Sequence, residues 1–187
     1  MGRRADLVDR TRQRITEAAV RLHTTVGPSA TSMSAVADEA GVTRLTLYRH
    51  FPSKEELFGA CMGHWRSLHP PPDPEVWGTV PTFEARVRHA LIDLYGWYSE
   101  NADDLYPIYR DAAHTPVSNQ RARQATNERM VDAVIGDDGP RGSVSRQSRA
   151  AVGHVIGFWT WRSLVVDQGL STRDASALAA EFVLSAN

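Results

Sequence analysis

Apolar residues along the chain recur at helical spacing almost from end to end. Ile15, Ala18, Ala19, Leu22 and Val26 fall on one face of a first helix over residues 6–26, which Gly27-Pro28 closes. Thr31-Ser32 is a cap signal for a short second helix with Met33, Val36, Ala37 and Ala40 on one side, and Gly41 stops it. Thr43 opens a third helix over residues 44–50, ended by Phe51-Pro52, and Ser53 with Glu56 forms a capping box for a fourth, whose inward stripe is Leu57, Cys61, Trp65 and Leu68. Four prolines within residues 70–74 then demand a loop. Helical periodicity resumes over 83–101, 105–113, 117–135, 145–168 and 172–185, with a flexible turn over 136–142 and Gly169 as a helix stop. The fold class expected is all-α. Residues 1–66 are expected to form one small domain and 67–187 a second.

Composition narrows the setting. The chain has 187 residues, 42% of them hydrophobic and 23% charged, ordinary values for a globular protein. No run approaches the roughly 18 apolar residues of a membrane helix, and the charged start lacks an apolar signal core, so a protein that is neither membrane-bound nor exported is expected. Cys61 is the single cysteine, which excludes an intrachain disulfide and fits a reducing cytoplasm. The net charge of −1 hides an asymmetry: residues 1–66 carry ten Arg or Lys against seven Asp or Glu (+3), and residues 67–187 carry eleven against fifteen (−4). A basic first third is what one part meeting phosphate requires.

Two short helices joined at Gly41 make a helix-turn-helix. Ala37 and Gly41 allow a close crossing, Val42 and Leu47 plug the joint, and the outward face of the second helix is free to lie in a major groove. The stretch Leu47-Tyr48-Arg49-His50-Phe51-Pro52-Ser53-Lys54-Glu55-Glu56-Leu57, within a run that begins at Thr31, resembles the signature of the TetR family of bacterial regulators. Weaker similarity continues at Leu105–Ala113, Trp161–Leu164 and Asp167–Ser171. The resemblance implies a homeodomain-like three-helix DNA-binding domain followed by a TetR-type ligand-binding and dimerisation domain. It also implies a cytoplasmic homodimer on double-stranded, near-palindromic operator DNA, usually a repressor released by a small-molecule effector.

Each candidate DNA contact has a physical reason. Thr31 and Ser32 stand at a helix N-terminus, where hydroxyls and free amides suit a phosphate or serve as caps. Thr43 and Arg44 open the recognition helix, and Arg44 is the base-contact candidate, with a phosphate contact as the alternative. Thr46 faces the same side. Leu45, where the family has a small residue, is either a thymine-methyl contact or an exposed apolar side chain. Tyr48, His50 and Lys54 are phosphate candidates; Lys54 is the chain's only lysine and lies in a first helical turn, where the macrodipole disfavours it unless a phosphate is near. Arg49 reads as a surface charge.

The second half carries many amphipathic aromatics. Candidate pocket residues are Trp97, Tyr106, Tyr109, Met130, Val134, His154, Phe158 and Trp161, expected between the helices at 83–101, 117–135 and 145–168; the same side chains also suit an ordinary core. Val152, Val155, Ile156, Trp159 and Ser163, with Ala175, Leu178, Ala179, Phe182 and Val183, give two stripes for core or dimer contact, which periodicity does not separate. His64 and His69 find no further residues to complete a zinc set. No phosphate loop or nucleophile elbow occurs, so no enzyme, metal or cofactor is expected. The rival reading is a DNA-binding protein whose second domain docks a protein rather than sensing a ligand.

Overall fold

The computed structural model describes residues 2–136 and 142–186, and among them every regular element is helical. Helix α1 spans Gly2–Thr25, α2 Met33–Glu39, α3 Arg44–His50, α4 Lys54–Leu68, α5 Pro74–Gly78, α6 Phe83–Glu100, α7 Ala102–Arg110, α8 Val117–Ile135, α9 Gly142–Val155, α10 Phe158–Arg162 and α11 Thr172–Ser185. The caps read from the sequence form: Ser32, Thr43 and Ser53 accept from the amides of Ala35, Thr46 and Glu56. The proline loop holds a short helix the sequence reading missed, α5, capped by Asp73 with Pro74 in its first turn. Most of the expected glycine turn at 136–142 lies outside the described residues.

The single helix expected over 145–168 is broken. It stops at Val155, Gly157 takes an extended conformation, α10 restarts at Phe158, and the chain widens into a π turn over Ser163–Asp167. A break normally orphans carbonyls. Here the Tyr95 hydroxyl donates to the Val155 carbonyl at 2.9 Å, Tyr98 to that of Ile156 at 2.9 Å, and Thr160 to that of His154 at 2.7 Å. Three hydroxyls thus replace the lost amides.

Two compact units form, Met1–Pro70 with Ala102–Ala122, and Pro71–Asn101 with Arg123–Asn187. The division differs from the expected one at residue 66 because the α7 region joins the first unit. There Asp111 accepts from the Ser29 amide at 3.0 Å and hydroxyl at 2.5 Å, Arg110 donates to the Val26 carbonyl at 2.9 Å, and Trp65 donates to Asp104 at 2.7 Å. Gly27, at φ +93°, lies under this pair, and a Cβ there would collide with Arg110 and Asp111. The Asp111 carboxyl is held well below the usual range, first by the Arg110 guanidinium and then by Ser29. In the second unit the buried guanidinium of Arg86 donates to the carbonyls of Val80, Val134 and Ile135, closing the C-terminal end of α8 where the helix dipole is negative.

The first unit's core is Ile15, Ala18 and Ala19 of α1, Met33, Val36, Ala37 and Ala40 around α2, Leu47 and Phe51 around α3, and Leu57 and Cys61 of α4. Burying a side chain such as Leu47 or Phe51 stabilises the unit by about 1.5–3 kcal/mol. Two expected inward residues point out instead: Leu68 is 63% exposed, and Val26 lies at the end of α1 in solvent. The stripe on α4 is completed by Phe58, whose ring sits 4.9 Å from that of His23.

His23 is buried, with Nδ1 3.2 Å from the Cys61 sulfur. Burial, and then the charge of Lys54, lower His23 from 6.5 to about 4, while burial pushes the Cys61 thiol up to about 12. The imidazole is therefore neutral and the thiol is no nucleophile at neutral pH. Because the folded state refuses a proton that the unfolded chain accepts below pH 6.5, stability falls as pH drops from 6.5 to about 4 and this contribution is flat below. Denaturant titrations should show the native protein losing about 3 kcal/mol relative to His23→Gln across that window; parallel pH profiles for the two proteins would contradict a buried neutral His23.

Candidate DNA-binding surface

The turn between α2 and α3 explains how a seven-residue helix is presented. Gly41 adopts φ +62°, its amide donates to the Asp38 carbonyl at 3.1 Å, and the Val42 amide reaches back to that of Ala37 at 2.9 Å. This Schellman arrangement requires a left-handed residue. It turns the chain so that Leu47 and Phe51 go fully into the core. The opposite side of α3 is then left to solvent: Thr43, Arg44, Leu45, Tyr48 and Arg49 are exposed and Thr46 half-buried.

Most of the expected contacts come together on this surface. The Thr43 hydroxyl caps the Thr46 amide at 3.1 Å and lies 2.9 Å from the Thr46 hydroxyl, which fixes both at the start of α3. Arg44 is exposed beside them. Leu45 is 63% exposed and packs on nothing in the core, so its side chain is available to an apolar group outside. Tyr48 is exposed along part of its ring, and His50 is half-buried at the far end. Ser32 and Lys54 stand at the N-terminal ends of α2 and α4, both exposed, and Lys54 forms no ion pair among the described residues. Thr31 is different. It is buried, and its hydroxyl donates to the Gly27 carbonyl at 2.8 Å. It closes the turn before α2, and Ser32 alone supplies the cap.

One positioning residue escaped the sequence reading. Arg12 on α1 donates to the His50 carbonyl at 2.6 Å and lays its guanidinium 4.1 Å over the Phe51 ring. The end of α3 is thereby tied to α1 by a charge at the negative end of the helix and by a cation–π contact. A helical arginine at that point carries no local signal that it serves a helix 38 residues later.

The expected pocket residues fall in both units. Tyr106 and Tyr109 belong to α7 in the first unit; the other six belong to the second. Of these, Met130, Val134, Phe158 and Trp161 are core, and Trp161 donates to the Ser99 hydroxyl at 3.1 Å. Tyr98, Phe158 and Trp161 pack ring against ring at 5.2–5.7 Å. With so little surface reachable by water, these side chains fill space rather than line a void. Trp97 is half-buried and His154 exposed. The two apolar stripes each divide: Val152, Val155, Ile156, Ala175, Ala179 and Val183 face inward, while Trp159 (49% exposed), Leu178 (52%) and Phe182 (54%) face out with Ser163. His154, Leu164, Leu178 and Phe182 line an apolar hollow of about 530 Å³ on that face.

Among the described residues no cluster of three metal-ligating side chains occurs, and no helix is long and apolar enough to cross a membrane. Residues 15–61 match the family model for bacterial regulatory proteins of the tetR family. Over 48 residues, 26% of this chain, the sequence is 48% identical to the HTH-type transcriptional regulator AcrR of Shigella flexneri, and the match spans 22% of that relative's length. The fold is similar to that of a TetR-like transcriptional regulator from Rhodococcus sp. RHA1, with a TM-score of 0.56 and 21% identity over 93% of each chain. It is also similar to a TetR transcription regulator from Haloarcula marismortui, with a TM-score of 0.57 and 19% identity over 95% of this chain and 98% of the other. Residues 15–61 are thus similar to the DNA-binding part of bacterial regulatory proteins of the tetR family, and the all-helical fold is similar to that of the two solved regulators.

Proposed function

We propose that this chain is a cytoplasmic transcriptional repressor that binds a near-palindromic operator as a homodimer and is released by a small-molecule effector. The observation that carries the DNA-binding part is the outward face of α3, open along Thr43, Arg44, Leu45 and Tyr48 while Leu47 and Phe51 anchor the other side. Arg44 reads a base edge, most naturally guanine, through its guanidinium fork. Ser32, Tyr48, His50 and Lys54 hold phosphates on either side of the groove. Release follows by linkage: an effector that binds the free protein more tightly weakens the operator complex by the same factor, typically about 5–150-fold.

The second copy docks on the outward face of α10 and α11. Three large apolar side chains lie about half exposed there, and an unpartnered apolar face of this kind is what a twofold self-contact covers. The twofold axis sets the two recognition helices about 34 Å apart, one DNA turn. Docking of a different protein on that face is the competing reading, favoured by the same exposed residues and separated from self-association by the oligomeric state.

Two measurements test this reading. Sedimentation at micromolar concentration should give twice the 20.7 kDa monomer mass, and Phe182→Glu should sediment as a monomer; a monomeric native chain would hand the face to another protein. In DNA binding, Lys54→Ala should weaken all duplexes alike and flatten the salt dependence by roughly one unit of slope per half-site. Arg44→Ala should cost about 1–3 kcal/mol and relax specificity at one base pair per half-site. Equal losses on selected and random duplexes for Arg44→Ala would move that residue to the phosphate set.

A further inference from the structure

Helix α7 is fastened within the first unit at its start and just past its end. Near the start Asp104 accepts from the Trp65 indole at 2.7 Å, which ties α7 to α4, and along its length the helix packs on α1. Just past the end, the buried Asp111 carboxylate meets the turn between α1 and α2. Its Oδ2 accepts from the Ser29 hydroxyl at 2.5 Å, the Ser29 amide at 3.0 Å and Arg110 at 3.0 Å, and its Oδ1 accepts from Arg110 at 2.8 Å. Charge-assisted bonds of this kind are about twice as strong as neutral ones. The turn's own bonds are uneven. Its Gly27 end is held by the Gly27 amide on the Leu22 carbonyl at 3.1 Å and by the Thr31 hydroxyl on the Gly27 carbonyl at 2.8 Å. The amides that lead into α2, Ala30 to Gly27 and Thr31 to Pro28, span 3.3 and 3.4 Å, beyond the usual range of about 2.7–3.2 Å. Ser29 and Ala30 are exposed, so burial of their side chains does not fix them.

We propose that Asp111 is a positioning residue for DNA binding: by holding Ser29 it sets where α2 begins and so places Ser32. The inference rests on the operator-binding reading, in which Ser32 is the phosphate contact nearest to Ser29 in the chain. The Ser32 oxygen already accepts from the Ala35 amide at 3.1 Å, so its hydroxyl meets a phosphate only where the backbone puts it. A contact of this kind tolerates an error of about 0.5 Å. Asp111 is itself buried and acts on DNA only through the turn. A carboxylate is required there. Ser29 and Arg110 bring four hydrogen bonds to its two oxygens, and an asparagine would turn its amide nitrogen toward one set of those donors.

The test is a double-mutant cycle on the full chain, read by fluorescence anisotropy with a selected duplex, well below the unfolding temperature of every variant. Asp111→Asn should weaken binding about tenfold, the worth of one charge-assisted hydrogen bond. Ser29→Ala, which removes the hydroxyl and keeps the amide bond, should give a smaller loss of the same kind, and it carries the same cycle where Asp111→Asn does not fold. Combined with Ser32→Ala, either change should add little, because both remove one contact; combined with Lys54→Ala, the two losses should multiply. Amide exchange of the free variant should quicken from Ser29 to Ala35 and stay unchanged at Leu47 and Phe51. Losses that multiply with Ser32→Ala and Lys54→Ala alike are what general destabilisation gives, and they would overturn the proposal. So would unaltered DNA binding by Asp111→Asn, or exchange that quickens through α3 as much as in the turn. If the native chain binds no duplex, the operator-binding reading fails, while quickened exchange confined to Ser29 to Ala35 still upholds Asp111 as the residue that sets the start of α2.

Discussion

The Asp111 carboxylate gathers the amide and hydroxyl of Ser29 and the guanidinium of Arg110, and Arg110 in turn takes the Val26 carbonyl. These bonds fasten the end of α7 to the turn between α1 and α2, more than 80 residues away in the chain. The turn's own backbone bonds run from Gly27 to Leu22 and from Ala30 to Gly27. It contains a left-handed glycine that tolerates no side chain, and the Thr31 hydroxyl donates back to the Gly27 carbonyl. Everything the recognition surface needs is downstream of that tether: the N-terminus of α2 with Ser32, the Schellman turn at Gly41, and α3 itself, which Arg12 secures from the other side. A charged network that is itself satisfied can specify a geometry that apolar packing alone leaves loose.

Local chemistry made much of this legible in advance. Helices α2, α3 and α4 begin where their caps put them, because Ser32, Thr43 and Ser53 act within a few residues of themselves, and α8 and α11 lie where periodicity puts them. The exposed side of α3 was equally readable, since Leu47 and Phe51 can only be core if Arg44, Leu45 and Tyr48 are not. What the sequence concealed depends on distant partners. The break at Gly157 exists because Tyr95 and Tyr98 supply hydroxyls to carbonyls about 60 residues away, and an unbroken apolar period gives no hint of them. Thr31 looked like a second cap and is a buried brace. Phe158 and Trp161 looked like pocket lining and are packed core, a distinction that composition cannot make because rings serve both purposes.

Charge follows the same division. The excess of basic residues in the first third is modest, and one of them, Arg12, is spent on holding α3. Arg86 and Arg110 are likewise committed to backbone carbonyls. Arg44, Arg49 and Lys54 are exposed on or beside α3, and Arg10, Arg14 and Arg66 are exposed on α1 and α4.

The central claim is that the exposed side of α3, flanked by the starts of α2 and α4, is where DNA sits. Amide hydrogen exchange of the full chain, with and without a saturating selected duplex, tests it directly. The account predicts slowed exchange at the amides of Ser32 to Ala35, Thr43 to Arg49 and Ser53 to Glu56. Protection by DNA confined to other segments, with these amides unchanged, would contradict it.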